Sequence, residues 1–103
     1  MRGEIFRLRA PRGGRGHEQS GGRYAVVVQS DQLPLSTALV APTSTAARAA
    51  SFRPEVKIAG RVTRVLAEQT AAVDPSRLGE SVGYLSFDEM RRVDAALRIV
   101  MNL

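Results

Sequence analysis

Cysteine is absent from the 103 residues, and histidine occurs once, at His17. Disulfides and thiolate metal sites are thereby excluded, and a zinc or other transition-metal centre lacks its usual ligands. Neither a metal nor another cofactor is expected. No apolar run is long enough to span a bilayer, and the N-terminus carries no signal-peptide apolar stretch. The expected setting is the cytoplasm, with no membrane partner. Lysine is nearly absent as well, because fourteen of the fifteen basic residues are arginine. A GC-rich genome accounts for the choice of arginine over lysine, but not for its placement. Residues 1–23 hold six arginines against Glu4 and Glu18, whereas the other eighty residues are nearly balanced, with nine basic and eight acidic groups. The excess positive charge sits at the front of the chain and predicts a polyanionic partner.

The remaining composition is that of an ordinary globular protein, 44% hydrophobic and 24% charged, which argues against disorder along most of the chain. A single domain over residues 1–103 is expected. So small a domain buries a modest core and often gains from a partner surface. Glu4 to Leu8 alternates and predicts a first strand. Pro11 to Gly16 breaks regular structure and Gly21-Gly22 closes the same stretch, so residues 10–22 form one long basic loop. Tyr24 to Gln29 is an apolar run typical of a buried strand, and Thr37 to Ala41 is another, ended by Pro42. Glu55 to Ile58 alternates and turns at Ala59-Gly60 into a strand over 62–66, with a further short strand at 70–73. Asp74-Pro75 pairs an N-cap with proline at the first helical position and predicts one helical turn through Leu78, stopped by Gly79. Ser86-Phe-Asp-Glu89 is a capping box, followed by Met90, Val93, Leu97 and Val100 at helical spacing. The expected architecture is mainly β with helices (α+β), a barrel or strongly bent sheet with one long C-terminal helix.

In order along the chain, these segments resemble the MazF/PemK toxin family. Arg2-Gly-Glu-Ile-Phe6 is similar to the family's opening motif, and residues 16–23, Gly-His-Glu-Gln-Ser-Gly-Gly-Arg, resemble its Gly-x-Glu-Gln loop ending in arginine. Val26 to Asp31 continues the match, and Thr37 to Thr45 is similar to the strand that delivers the family's hydroxyl residue. Val65-Leu-Ala-Glu-Gln69, Val73 to Leu78, Val82 to Ser86 and Met90-x-x-Val93 complete it. Two positions depart from the pattern. Tyr24 stands where the family usually has proline, and Ser44 aligns with the family's catalytic threonine, flanked by Thr43 and Thr45. The resemblance implies an SH3-like barrel of the CcdB/MazF type and a homodimer. It also implies metal-independent cleavage of single-stranded RNA, leaving 2′,3′-cyclic phosphate and 5′-hydroxyl ends, and silencing by a cognate antitoxin.

RNA supplies its own nucleophile, the 2′-OH, so the enzyme's task is proton transfer and stabilisation of charge on the phosphoryl oxygens. Under the resemblance, Arg23 stabilises that charge as a permanent cation; without it, a surface phosphate contact or salt bridge is the simpler assignment. Ser44, with Thr43 as second choice, would donate to the scissile phosphate, although such a cluster after Pro42 is also an ordinary turn. The RNA-binding candidates are Arg15, Glu18, Gln19, Thr45, Glu68 and Gln69. Glu18 could orient Arg23, accept a proton or read a base edge, and the Gln69 amide suits a splayed base. His17 titrates near neutrality, but the family does not require it and it stays outside the catalytic set. Phe52 and Arg53 could stack on a base, with a core phenylalanine the simpler reading. Met90, Val93 and Leu97 belong to the core or a dimer contact. Two other functions fit the same barrel: a CcdB-like toxin that binds DNA gyrase, disfavoured by a C-terminus lacking tryptophan, and an inactive RNA binder. An acidic antitoxin segment lying over residues 10–22 would mask the cationic site by charge complementarity.

Overall fold

A computed structural model describes residues 1–9 and 23–103. The predicted loop over 10–22 lies outside the described residues. Among the described residues seven strands form the sheet: β1 (Glu4–Leu8), β2 (Tyr24–Val27), β3 (Ala38–Ser44), β4 (Glu55–Ile58), β5 (Arg61–Val65), β6 (Ala71–Val73) and β7 (Leu78–Tyr84). Their order is β4-β5-β3-β2-β1-β7, with β6 also paired to β3, and every pairing is antiparallel. One helix follows, α1 (Phe87–Met101). The result is a mostly-β, curled antiparallel sheet, a half-barrel, with a single C-terminal helix.

The apolar run after Tyr24 forms a strand buried on both faces. Val26 and Val28 join Ile5, Ala41, Val56, Ile58 and Val65 in the main core, which Val93, Ala96 and Leu97 of α1 complete. Ala25 and Val27 point the opposite way and pack with Val40 in a second cluster. A strand with period-two side chains needs apolar residues at every position when both faces are covered. Val93 is fully buried and Leu97 nearly so, but Val100 and Met101 at the helix end are exposed. The helix start is fixed as the sequence predicts. Ser86 Oγ accepts from the Glu89 N–H at 3.0 Å, and Glu89 Oε1 accepts from the Ser86 N–H at 2.9 Å.

β3 is the hub of the sheet and corrects one expectation. The strand does not end at Pro42; it runs on to Ser44. Val28 N–H donates to Leu39 O, so the bonded pairs of the β2–β3 ladder alternate from there, and the Ala25–Pro42 pair falls on a non-bonded position. Pro42 O instead faces away from β2 and accepts from Leu66 N–H at 2.8 Å. The missing proline N–H therefore faces the place where β3 changes partner, from β6 at Ala38–Val40 to β5 at Thr43–Ser44. A short 3-10 turn over Ala67–Gln69 makes that change. A proline is tolerated where no ladder bond is required of it.

Two further boundaries differ from expectation. The turn after Asp74 is a 3-10 turn over Pro75–Arg77, capped as predicted by Asp74 accepting from the Ser76 N–H. Gly79 does not stop it but lies inside β7, a strand the sequence pattern did not reveal. A Cβ at Gly79 would come within 3.1 Å of Arg7 O, so glycine is what lets β7 approach β1 closely. Glu4 reinforces that edge by accepting from Ser81 Oγ at 2.7 Å and Tyr84 OH at 3.2 Å. Among the described residues no helix is long and apolar enough to cross a membrane.

Candidate active site

Arg23 immediately precedes β2, and its carbonyl accepts from Leu8 N–H at 3.0 Å, so β1 holds its backbone while the side chain is exposed. Continuing the β2–β3 register from Ala25–Pro42 places Tyr24 opposite Thr43 and Arg23 opposite Ser44. The end of β3 thus delivers its hydroxyls beside the arginine. Thr43 is buried, at 4% exposure, and its Oγ1 donates to Tyr24 O at 3.0 Å. Ser44 is half-buried, and its Oγ accepts from Ala46 N–H at 3.2 Å. Thr45 is exposed at the rim.

These residues share a cavity of about 350 Å³. Its other walls come from Arg7 of β1 and from the β4–β5 hairpin, through Ile58, Ala59, Arg61 and Thr63. Tyr24 forms part of the lining, with the Arg7 guanidinium carbon 5.2 Å from its ring centroid. The position where the family usually has proline therefore holds an aromatic wall with a cation over it.

Among the described residues, the charge lining this cavity is of one sign. Its described lining holds three arginines and no carboxylate. Several arginines elsewhere are paired with carboxylates: Arg2 with Asp94 at 2.7 Å, Arg53 with Glu68 at 2.7 Å and Arg92 with Asp88 at 3.4 Å. Arg23 and Arg61 form no ion pair among the described residues. Concave sites lined by one sign of charge focus the field and draw in anions. Arginine forks and hydroxyls are donors suited to phosphoryl oxygens. One group is left over. Thr63 is 5% exposed, and its Oγ1 has no hydrogen-bond partner among the described residues. A buried hydroxyl in that state costs about 1–3 kcal/mol.

Of the residues singled out from the sequence, Arg23, Thr43, Ser44 and Thr45 are brought together. Glu68 and Gln69 lie outside the lining, in the 3-10 turn after β5. Glu68 Oε2 accepts from both Nε and Nη2 of Arg53, and this holds its carboxyl below the usual glutamate range. Phe52 packs against the main core with the Arg53 guanidinium carbon 5.5 Å from its ring centroid. Arg15, His17, Glu18 and Gln19 lie outside the described residues. Arg7, Arg61 and Thr63 were not foreseen. The available signal was the hairpin turn at Ala59-Gly60, which returns β5 beside the end of β3. Among the described residues no group of three or more His, Asp or Glu is placed to hold a metal ion.

The strand ends of the curled sheet thus present an arginine and three hydroxyls to one cationic cavity, a set of donors suited to an anionic ligand. The family model described as PemK-like, MazF-like toxin of type II toxin–antitoxin systems matches residues 1–101, and the chain belongs to that family. A Mycobacterium tuberculosis protein designated a candidate toxin is 39% identical over 104 aligned positions, covering 100% of this chain and 98% of that one. Two solved structures share the fold. An endoribonuclease from a mycobacterial species, in complex with its cognate antitoxin, has a TM-score of 0.80 at 16% identity, over 100% of this chain and 95% of that chain. MazF from Deinococcus radiodurans has a TM-score of 0.76 at 23% identity, over 98% of this chain and 94% of that chain.

Proposed function

We propose that the protein is an endoribonuclease toxin, a single domain over residues 1–103 that cuts single-stranded RNA in this cavity without a metal. The observation that carries the reading is the meeting of Arg23 with Thr43, Ser44 and Thr45 in a cavity lined by cations. The substrate's 2′-oxygen bonds to the adjacent phosphorus as the bond from phosphorus to the 5′-oxygen breaks. The products are a 2′,3′-cyclic phosphate and a 5′-hydroxyl. Arg23 stabilises the charge that builds on the phosphoryl oxygens, and Ser44 donates a hydrogen bond to them. The proton of the 2′-OH passes to water or to the Glu18 carboxylate, and water protonates the leaving oxygen. Arg15, Glu18 and Gln19 are further RNA contacts in this reading, as are Glu68 and Gln69, which lie outside the cavity lining.

Partner binding follows from the same charge. An acidic, initially disordered antitoxin segment would cover the cationic cavity, and the protein would act as a homodimer in the cytoplasm. Exposed apolar side chains on the last strand and the helix, among them Tyr84 and Phe87, support a covered surface. Antitoxin affinity that did not weaken with added salt would contradict the charge-masking part of the proposal.

The test is incubation of purified protein with a long single-stranded RNA in EDTA, followed by mapping of cut ends and their chemistry. Discrete cuts ending in cyclic phosphate and 5′-hydroxyl are expected, and Arg23→Ala should remove them while leaving the fold intact. Intact RNA, from folded protein free of antitoxin, would move the assignment to a gyrase-binding toxin or an inactive RNA binder.

A further inference from the structure

β5 meets the cavity in a graded series. Residues two apart share a strand face, and Arg61, Thr63 and Val65 pass from an exposed rim, through a 5% exposed floor, to the fully buried core. Arg61 and Thr63 both line the cavity. Thr63 Oγ1 is the unpaired hydroxyl, facing a core strand in which its cross-strand neighbour is the buried Val56. Valine has nearly the same shape and would fill this place without an orphaned polar group. A ligand in the cavity would complete the hydrogen bond that the protein leaves unmade. Rotation about one bond exchanges the hydroxyl and methyl between staggered positions, so the donor can turn toward an occupant of the cavity.

Arg61 is well separated from the catalytic arginine. Arg23 lies opposite Ser44 in the β2–β3 register, and Ser44 pairs on its other side with Arg64. Arg61 is three residues further along β5. The two backbones are thus about 10 Å apart across two strand spacings and about 10 Å along the strand, before the curl of the sheet. That separation is too large for both to hold one phosphate.

We propose that Arg61 and Thr63 form the nucleotide-selecting wall of the cavity, with Arg61 on the phosphate beside the scissile one and Thr63 hydrogen-bonded to a bound base. This rests on the RNA-cleavage reading and adds to it a division of labour. β2 and β3 carry the chemistry, and β5 carries part of the choice of substrate.

The experiment compares wild-type protein, Thr63→Val, Thr63→Ser, Arg61→Ala and Arg23→Ala on a randomised single-stranded RNA pool. Cut sites are sequenced, kcat and KM are measured on the preferred sequence, and melting temperatures are recorded. Thr63→Val should melt at or above the wild-type temperature yet lose about three- to tenfold of its preference at one base position. Thr63→Ser, which keeps the hydroxyl, should retain the wild-type motif. Arg61→Ala should raise KM roughly ten- to hundredfold with little change in kcat, the reverse of Arg23→Ala. An unchanged motif in folded Thr63→Val, or an unchanged KM in Arg61→Ala, overturns the part its residue carries. Wild-type protein that cuts no RNA overturns the cleavage reading, and this inference falls with it.

Discussion

The Thr43 hydroxyl donates its proton to the Tyr24 carbonyl at 3.0 Å, while the next hydroxyl along, that of Ser44, only accepts, from the Ala46 N–H at 3.2 Å. Thr43 is therefore committed to pinning β3 against β2, whereas the Ser44 proton is left for the donor role proposed above. The two substitutions should separate accordingly. Thr43→Val strands a carbonyl between the strands and should cost about 1–3 kcal/mol in denaturant unfolding. Ser44→Ala should leave stability within about 0.5 kcal/mol and lower kcat roughly a hundredfold. Full activity in Ser44→Ala would move the donor role to Thr45 at the rim.

Arg23 allows a test of geometry against charge. Its backbone is held by Leu8, and it lies opposite Ser44 across the β2–β3 pair. Lysine at this position would keep the charge but lose the planar fork that can hold two phosphoryl oxygens together. Arg23→Lys should retain RNA binding, with KM within a few-fold, and lose about a hundredfold in kcat. Equal rates for the two proteins would show that the position supplies charge alone.

The elements most legible in the sequence are those whose cause is local. The capping box at Ser86 and Glu89 contains both of its partners within one turn, and the helix starts where those residues place it. The run through Val26 to Val28 reads as a buried strand because both of its faces are covered. β7 was hidden for the opposite reason. Gly79, Glu80, Ser81 and Gly83 carry no alternating apolar pattern, and the strand exists because β1 offers it an edge. Pro42 misled because a local stop signal does not say which way the missing N–H would face. At the site, Arg23 and the three hydroxyls were visible through the order of family motifs. Arg61 and Thr63 were not, because their place beside the cavity is set by a hairpin and a pairing between distant parts of the chain.

Glu89 ties the helix to the sheet as well as capping it. Its second oxygen, Oε2, accepts from the Lys57 N–H of β4 at 2.9 Å, and Arg92 one turn later donates to the Glu55 carbonyl. Desolvation pushes the Glu89 carboxyl up, but the Lys57 and Ser86 hydrogen bonds and the Arg92 charge outweigh it, leaving the value below the ordinary 4.5. A carboxyl lowered in the folded state binds protons more readily when unfolded, so its contribution is complete above the unfolded value and is lost as pH falls through the folded one. Urea unfolding should show stability declining below about pH 4.5, with a shallower decline in Glu89→Gln. Glu89→Ala should cost about 1–2 kcal/mol at neutral pH by stranding two backbone donors. Parallel acid profiles for wild type and Glu89→Gln would show that this carboxylate does not carry the acid sensitivity.

The β4–β5 hairpin holds strain that can be removed. Ile58 pairs directly with Arg61, leaving a two-residue turn in which Ala59 has φ of 53° and Gly60 has φ of 80°. Both central residues are left-handed, as the turn whose twist matches a tight hairpin requires. Glycine is at ease there, and a Cβ at Gly60 would meet nothing within 4 Å, so only its backbone conformation demands glycine. Alanine at 59 bears the penalty of a side chain in the left-handed region. Asparagine tolerates that region and precedes glycine in the preferred form of this turn. Ala59→Asn should therefore stabilise the protein by about 0.5–1 kcal/mol, which for a domain of this size is a rise in Tm of a few degrees. Ala59→Val, with a branched Cβ in the same conformation, should move Tm the other way. Thermal melts of the three proteins decide the matter. If asparagine brings no gain and valine no loss, the hairpin in solution turns through a different backbone path, and the position of Arg61 beside the cavity would have to be revised with it.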